Sequence, residues 1–243
     1  GTMHIATAVG TPIIGLFFAH AHPFETGPYS SGNLIFQARI SCAPCSYGVE
    51  CTNIVCIHKV RPDHLLSMIK IHQEEKQWRL PESMLGLEEV NIYNTCIGKD
   101  RRLRLRPLVK HPLDLNDIFR EIYTGHWLES LGTLNIHGSS TSNIEEILLG
   151  EYDCKNAHKL LTRIEEKLHM LRRLEKITHQ GISSADEIAQ ICIAERPKKI
   201  NRVKILAQII ESLDKEISQI GYTHPELKPV TDLFGKRKEN FQG

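Results

Sequence analysis

No stretch of this chain is apolar enough, for long enough, to cross a bilayer. The longest such run, residues 11–21, is far too short and is interrupted by Pro12 and Gly15. No basic start leads into an apolar segment and a small-residue cleavage site, so no secretory signal is expected. Excess charge is missing too. A net charge of +1 leaves no global field to attract nucleic acid or a membrane. Neither a Gly-x-Gly-x-x-Gly pattern nor a P-loop nor a Ser-His-Asp order is present. Carboxylate pairs do occur, at Glu74-Glu75, Glu88-Glu89, Glu145-Glu146 and Glu165-Glu166. They fall where solvated helix or linker faces are expected, so no acid–base work is assigned to them.

What is present is ordinary for a globular protein: 41% apolar and 24% charged residues over 243 positions. That length suits two smaller domains better than one large one. The seven cysteines are odd in number, which argues against a secreted disulfide framework. A cytoplasmic location, or one peripheral to the inner membrane, is the expectation.

Periodicity predicts a helix over residues 2–9, a buried parallel-type strand over 12–18 and another strand over 33–38. Arg61-Pro62-Asp63 opens a helix to about Gln77, with Leu65, Leu66, Ile69 and Ile71 on its apolar side. This content suits the tail of a doubly wound α/β domain over 1–77. Residues 78–88 read as a linker. An alternating hairpin follows within 78–112, its return strand setting Arg102, Arg104 and Arg106 against Leu103 and Leu105. That arginine face is either a basic ledge for a phosphate-rich or acidic ligand, or simply the solvated side of a half-buried hairpin.

Residues 113–235 read as an α-helical extension. Asp114 or Asn116 caps a helix to about Glu129, and residues 132–143 form a polar loop. Residues 156–178 and 198–220 carry coiled-coil-like seams, with a short helix between them within 183–194. The seams can close a small bundle or form a homo-oligomer. Residues 236–243 read as a disordered tail or the remnant of a protease-site tag.

Two constellations carry chemistry on residue type alone. Cys42, Cys45, Cys51 and Cys56 are spaced Cys-x2-Cys-x5-Cys-x4-Cys, and four soft thiolates can complete a closed tetrahedral shell around structural zinc or iron. Four reduced cysteines in a loop, or disulfides formed during handling, are the alternatives. His20 and His22 alternate on an extended segment and could share a metal or phosphate, or be exposed loop histidines. The chain start adds a third, weaker feature. Gly1 and Thr2 open a helix whose first turn leaves backbone N–H groups available to an anion.

Gly1-Thr2-Met3-His4-Ile5-Ala6, then Ala8-Val9-Gly10-Thr11-Pro12-Ile13-Ile14-Gly15-Leu16-Phe17, then Glu25-Thr26-Gly27-Pro28-Tyr29, resemble the donor-binding half of the heptosyltransferase-like glycosyltransferases of family 9. That family's pattern runs Asp-Thr-Gly-x-Met-His-Ile-Ala, Leu-Gly-Thr-Pro, Gly-Leu-Phe-Gly-Pro-Thr and Gly-Pro-Tyr. The resemblance covers roughly residues 1–70. The chain differs in starting inside the motif, and in having Phe18-Ala19-His20 where the family has Gly-Pro-Thr.

The resemblance implies the C-terminal, Rossmann-like half of a GT-B glycosyltransferase. It also implies a role in lipopolysaccharide biosynthesis. Gly1, Thr2, Met3 and His4 would hold the phosphates of a nucleotide-sugar such as ADP-heptose. Some family members hold iron through cysteines, as Cys42, Cys45, Cys51 and Cys56 would. The acceptor, whether glycan, lipid or protein, and the general base belong to an N-terminal domain, so the chain alone is expected to be inactive. The other reading is a non-catalytic, metal-stabilised binding or assembly module.

Overall fold

A left-handed glycine ends the first helix. Helix α1 (Thr2–Ala8) is followed by Gly10 at φ 73°; its N–H donates to Thr7 O, and Thr11 N–H donates to Ala6 O. This is the paired-bond closure that only a residue free of Cβ enters cheaply. Pro12 then blocks any continuation, and the chain extends into β1 (Ile14–Phe17). The computed structural model describes residues 1–45, 50–98, 102–130, 140–194 and 199–241.

The described chain divides into two compact units, residues 1–112 with 147–153, and residues 113–146 with 154–243. In the first, β1, β2 (Leu34–Ala38), β3 (Val90–Ile97) and β4 (Leu103–Pro107) form one four-stranded sheet in that order. The β1–β2 pair is parallel; β2–β3 and β3–β4 are antiparallel. The architecture is therefore mixed α/β, and the hairpin extends the sheet instead of standing apart from it. The hairpin's turn residues 99–101 lie outside the described residues.

Strand alternation divides the core in two. Leu34, Phe36, Val90 and Ile92 face a cluster with Val60, Met68, Leu80 and Met84, whereas Phe17, Ile35, Tyr93 and Leu105 form a second cluster. All five residues of β2 are buried, as expected for a strand covered on both faces. Asn33 pins the strand starts together. Its Oδ1 accepts from Ile13 N–H (3.0 Å), its Nδ2 donates to Ser30 O (2.7 Å), and its N–H donates to Thr95 Oγ1 (2.8 Å).

Two expectations change here. Helix α3 (Pro62–Glu75) starts at Arg61-Pro62 as predicted, but its buried residues are His64 and Met68, while Leu66 and Ile69 are exposed. The spacing of four through His64, Met68 and His72 selects the inward face. His64 belongs at the first turn because its Nδ1 accepts from Arg61 N–H (3.2 Å). Residues 78–88, expected as a linker, contribute Leu80 and Met84 to the core, with Met84 on the short turn Glu82–Met84.

The second unit is helical. In α4 (Leu115–Ser130), Asp114 and Asp117 cap each other: Asp117 N–H donates to Asp114 Oδ1 (2.9 Å) and Asp114 N–H to Asp117 Oδ2 (3.2 Å). Helix α5 (Ser140–Glu151) begins inside the segment expected to be a polar loop; residues 131–139 lie outside the described residues. The two predicted helices within 156–194 are one 33-residue helix, α6 (Leu161–Ile193), after a short turn at Ala157–Leu160. It continues through Gly181 because Ile177, Ser184 and Ile191 repeat by seven on its buried side.

Helix α7 (Ile200–Thr223) runs antiparallel to α6, since Arg173 pairs with Glu216 and Glu187 with Arg202. Leu174, Ile177, Leu213, Ile217 and Ile220 close a core with Leu115, Phe119 and Leu227. Helix α8 spans Lys228–Phe241 and so runs into the segment from 236 that was read as a disordered tail or tag remnant; residues 242–243 lie outside the described residues. Among the described residues no helix is long and apolar enough to cross a membrane.

Candidate functional site

The parallel pair β1–β2 sets the geometry. Ligands of α/β sheets gather beyond the carboxyl ends of parallel strands, where successive loops diverge. Here those loops are residues 18–22 after β1 and 39–45 after β2. Both carry residues singled out from the sequence.

Met3 packs on the Phe17, Ile35, Tyr93 and Leu105 cluster together with Ala21 and Phe24. The first turn of α1 and the loop after β1 therefore share one apolar anchor. The N–H groups of His4 and Ile5 are already taken by Gly1 O, at 3.0 and 3.2 Å. The donors left over in this turn come from the backbone at Thr2 and Met3. His4 itself is exposed.

His20 and His22 part company. His20 is exposed, whereas His22 caps α2 (Pro23–Thr26) and lies 5.5 Å, ring centre to ring centre, from Phe24. Phe24 in turn meets Tyr93 edge-on at 5.7 Å. Between β1 and these histidines, Ala19 is held at φ 53°. A left-handed residue with a Cβ costs about 1–2 kcal/mol. No sequence pattern predicted that strained position, because alanine gives no local signal for it.

Ala19 also ties in the cysteine segment, its carbonyl accepting from Cys45 N–H at 2.9 Å. Cys45 Sγ donates to Cys42 O (3.2 Å). Cys42 and Cys51 are exposed and Cys56 is buried in the turn Val55–Lys59; all four are free thiols. Burial, followed by the like charges of Cys42, Cys51 and Cys56, pushes the Cys45 thiol up. Even so, among the described residues no three His, Cys, Asp or Glu side chains are gathered as a metal site would require. The donor chemistry suits a soft metal, but the ligand shell is not assembled. Residues 46–49, in the middle of this loop, lie outside the described residues.

The other candidates lie elsewhere. Arg104 and Arg106 alternate with the buried Leu105 on β4, as predicted, and Arg102 precedes the strand. The four carboxylate pairs are all exposed, which agrees with the solvated-face reading.

No curated protein and no solved structure matches the chain. Residues 1–53 match the family model described as glycosyltransferase family 9 (heptosyltransferase). That span holds the first turn of α1, the β1 loop and three of the four clustered cysteines. Over this segment, about a fifth of its length, the chain is similar to glycosyltransferase family 9.

Proposed function

We propose that residues 1–45 form the phosphate-holding part of a nucleotide-sugar donor site in a GT-B glycosyltransferase. The observation that carries this reading is the family match over residues 1–53. The geometry is compatible with it: the α1 first turn and the strained Ala19 loop meet on one anchor beyond the carboxyl end of β1. The Thr2 and Met3 N–H groups and the positive end of α1 would receive a diphosphate, and His4 would donate a further hydrogen bond. Charge building on the departing nucleotide diphosphate is met by such fixed donors, so no covalent enzyme intermediate is required. The donor is an ADP-linked heptose, and the acceptor offers a hydroxyl.

Helix α1 buries no residue, Ile5 and Val9 are 67% and 72% exposed, and β1 is a sheet edge with Leu16 exposed. A further strand and an acceptor-binding domain would cover these surfaces and supply the general base, so the isolated chain is expected not to turn over.

Calorimetric titration of ADP-, UDP- and GDP-sugars into the chain and into His4→Ala tests the reading. Binding selective for an ADP-sugar and weakened by the substitution supports it. Binding untouched by His4→Ala removes that residue from the site.

The cysteines are assigned a structural role in the same region. Cys42, Cys45, Cys51 and Cys56 would hold zinc or iron and fix the loop that reaches Ala19. A closed thiolate shell leaves no open position, so the metal takes no part in transfer. Elemental analysis of protein purified without added metal decides this. Less than about a tenth of an equivalent of either metal overturns the assignment, given the affinities usual at structural thiolate sites.

A further inference from the structure

At the amino ends of β1 and β2, away from the loops just described, a cavity of about 470 Å³ is present. Its walls include Thr11 before β1, Ser30 and Ser31 before β2, Asn94 on β3, and Lys76 and Trp78 after α3. The size is within the roughly 300–1,000 Å³ usual for small-molecule sites. Trp78 is locked in place. Its Nε1–H donates to Gly32 O (2.7 Å), and the His72 ring stacks on it at 3.9 Å and 20°.

Three observations give this cavity a chemical preference. Lys76 sits at φ 57°, at the C-cap position of α3 where glycine is the usual residue. A lysine kept there against about 1–2 kcal/mol of backbone strain is worth explaining by its side chain. That side chain is exposed, makes no ion pair among the described residues, and no carboxylate stands among the described lining residues. Second, Arg106 is the cross-strand partner of Asn94, so a second cation stands on the face that Asn94 presents. Third, Asn94 Oδ1 is shielded from solvent without a hydrogen-bond partner. A buried acceptor left unpaired calls for a donor, and the amide torsion of asparagine is soft enough to turn it towards one.

We infer that this cavity binds a small phosphorylated polyol of the sugar-phosphate class. Lys76 neutralises the phosphate, with Arg106 beside Asn94 adding positive charge outside the lining itself. A ligand hydroxyl supplies Asn94 Oδ1 with its missing donor, while Ser30, Ser31 and Thr11 offer further hydroxyl partners. The locked Trp78–His72 pair gives the wall its shape. The inference does not depend on the nucleotide-sugar reading, which uses the other end of the strands.

Trp78 and Trp127 are the two tryptophans of the chain, so two indole N–H resonances report binding in a nitrogen-15 NMR titration, and Trp127→Phe assigns them. The probes are glucose 6-phosphate, glucose and inorganic phosphate, added to the full chain. Glucose 6-phosphate is expected to move the Trp78 resonance and leave Trp127 in place, binding at least about fivefold more tightly than glucose or phosphate alone. Lys76→Gly keeps the left-handed turn while deleting the cation, and Asn94→Asp sets a like charge against the phosphate. Each is expected to weaken binding about fivefold or more. Equal affinity for phosphate alone or for glucose alone, no Trp78 shift with any probe, or undiminished binding by Lys76→Gly overturns the inference.

Discussion

Lys167 Nζ lies 3.1 Å from Glu226 Oε2, and both side chains are almost wholly buried in the helical unit. The pair is wired further: Lys167 Nζ is 3.0 Å from His224 Nδ1, Arg163 reaches Glu226 Oε1 at 3.5 Å, and Tyr123 Oη–H donates to Glu226 O at 2.8 Å. Burial beside that glutamate pushes the Tyr123 hydroxyl up to about 12. Breaking such a pair leaves one uncompensated buried charge, at a cost of about 3–5 kcal/mol. Lys167→Met alone should therefore lower the urea midpoint sharply, while Lys167→Met with Glu226→Leu should recover most of the loss. Equal loss in the single and double variants would show that packing, not charge, sets the effect.

The same carboxylate predicts an acid limb. Burial alone would raise the Glu226 pKa, but its own backbone hydrogen bond and the Lys167 and Arg163 cations outweigh that and hold it below the usual range. A depressed carboxylate contributes stability that is complete above the unfolded value of about 4.3 and is lost as pH falls through the folded value. Unfolding free energy measured from pH 6 downward should fall less steeply in Glu226→Gln than in the parent. Parallel curves would remove Glu226 from the acid response.

Asn33 should be the most sensitive polar residue of the sheet unit. Replacing it with alanine orphans the Ile13 N–H and the Ser30 carbonyl that its amide now satisfies. A fully buried orphan costs about 1–3 kcal/mol, and these two part-buried groups fall towards the lower end of that range. Asn33→Ala is expected to lower the thermal midpoint markedly, and Asn33→Asp, which keeps an acceptor for Ile13, less so. Hydrogen exchange at Ile13 distinguishes this from a general loosening.

Gly221 is fixed by its neighbour. A Cβ there would press into Thr231 Oγ1 and come within 3.0 Å of Thr231 Cβ, where α7 meets α8. Overpacking of this kind costs about 1–3 kcal/mol, so Gly221→Ala should destabilise despite alanine's better helix propensity. A stability gain in calorimetry would show that α8 can shift away.

Lys76→Gly should do the opposite, raising stability by up to about 1 kcal/mol as the left-handed strain is relieved. If the cavity is a sugar-phosphate site, that gain comes with weaker binding. A variant that is neither more stable nor altered in binding would leave Lys76 with no role.

Periodicity located most of the elements because each is a local property. Helix α1, the strands, α3 and α7 follow from spacing and punctuation at Gly10, Pro12 and Arg61-Pro62. The family motif over the first residues is local as well, which is why it could be read without coordinates.

What the sequence determined by itself is the order of elements, the residue types of the cysteine loop and the similarity of the first residues to a family 9 motif. The tertiary structure decided which faces turn inward. It put His64 and Met68 inside in place of Leu66 and Ile69, made one helix of residues 161–193, and drew Leu80 and Met84 out of an expected linker into the core. It also joined Met3, Ala21 and Phe24, and linked Ala19 to Cys45. Such choices depend on partners tens of residues away, and a local pattern carries no information about the surface it will meet.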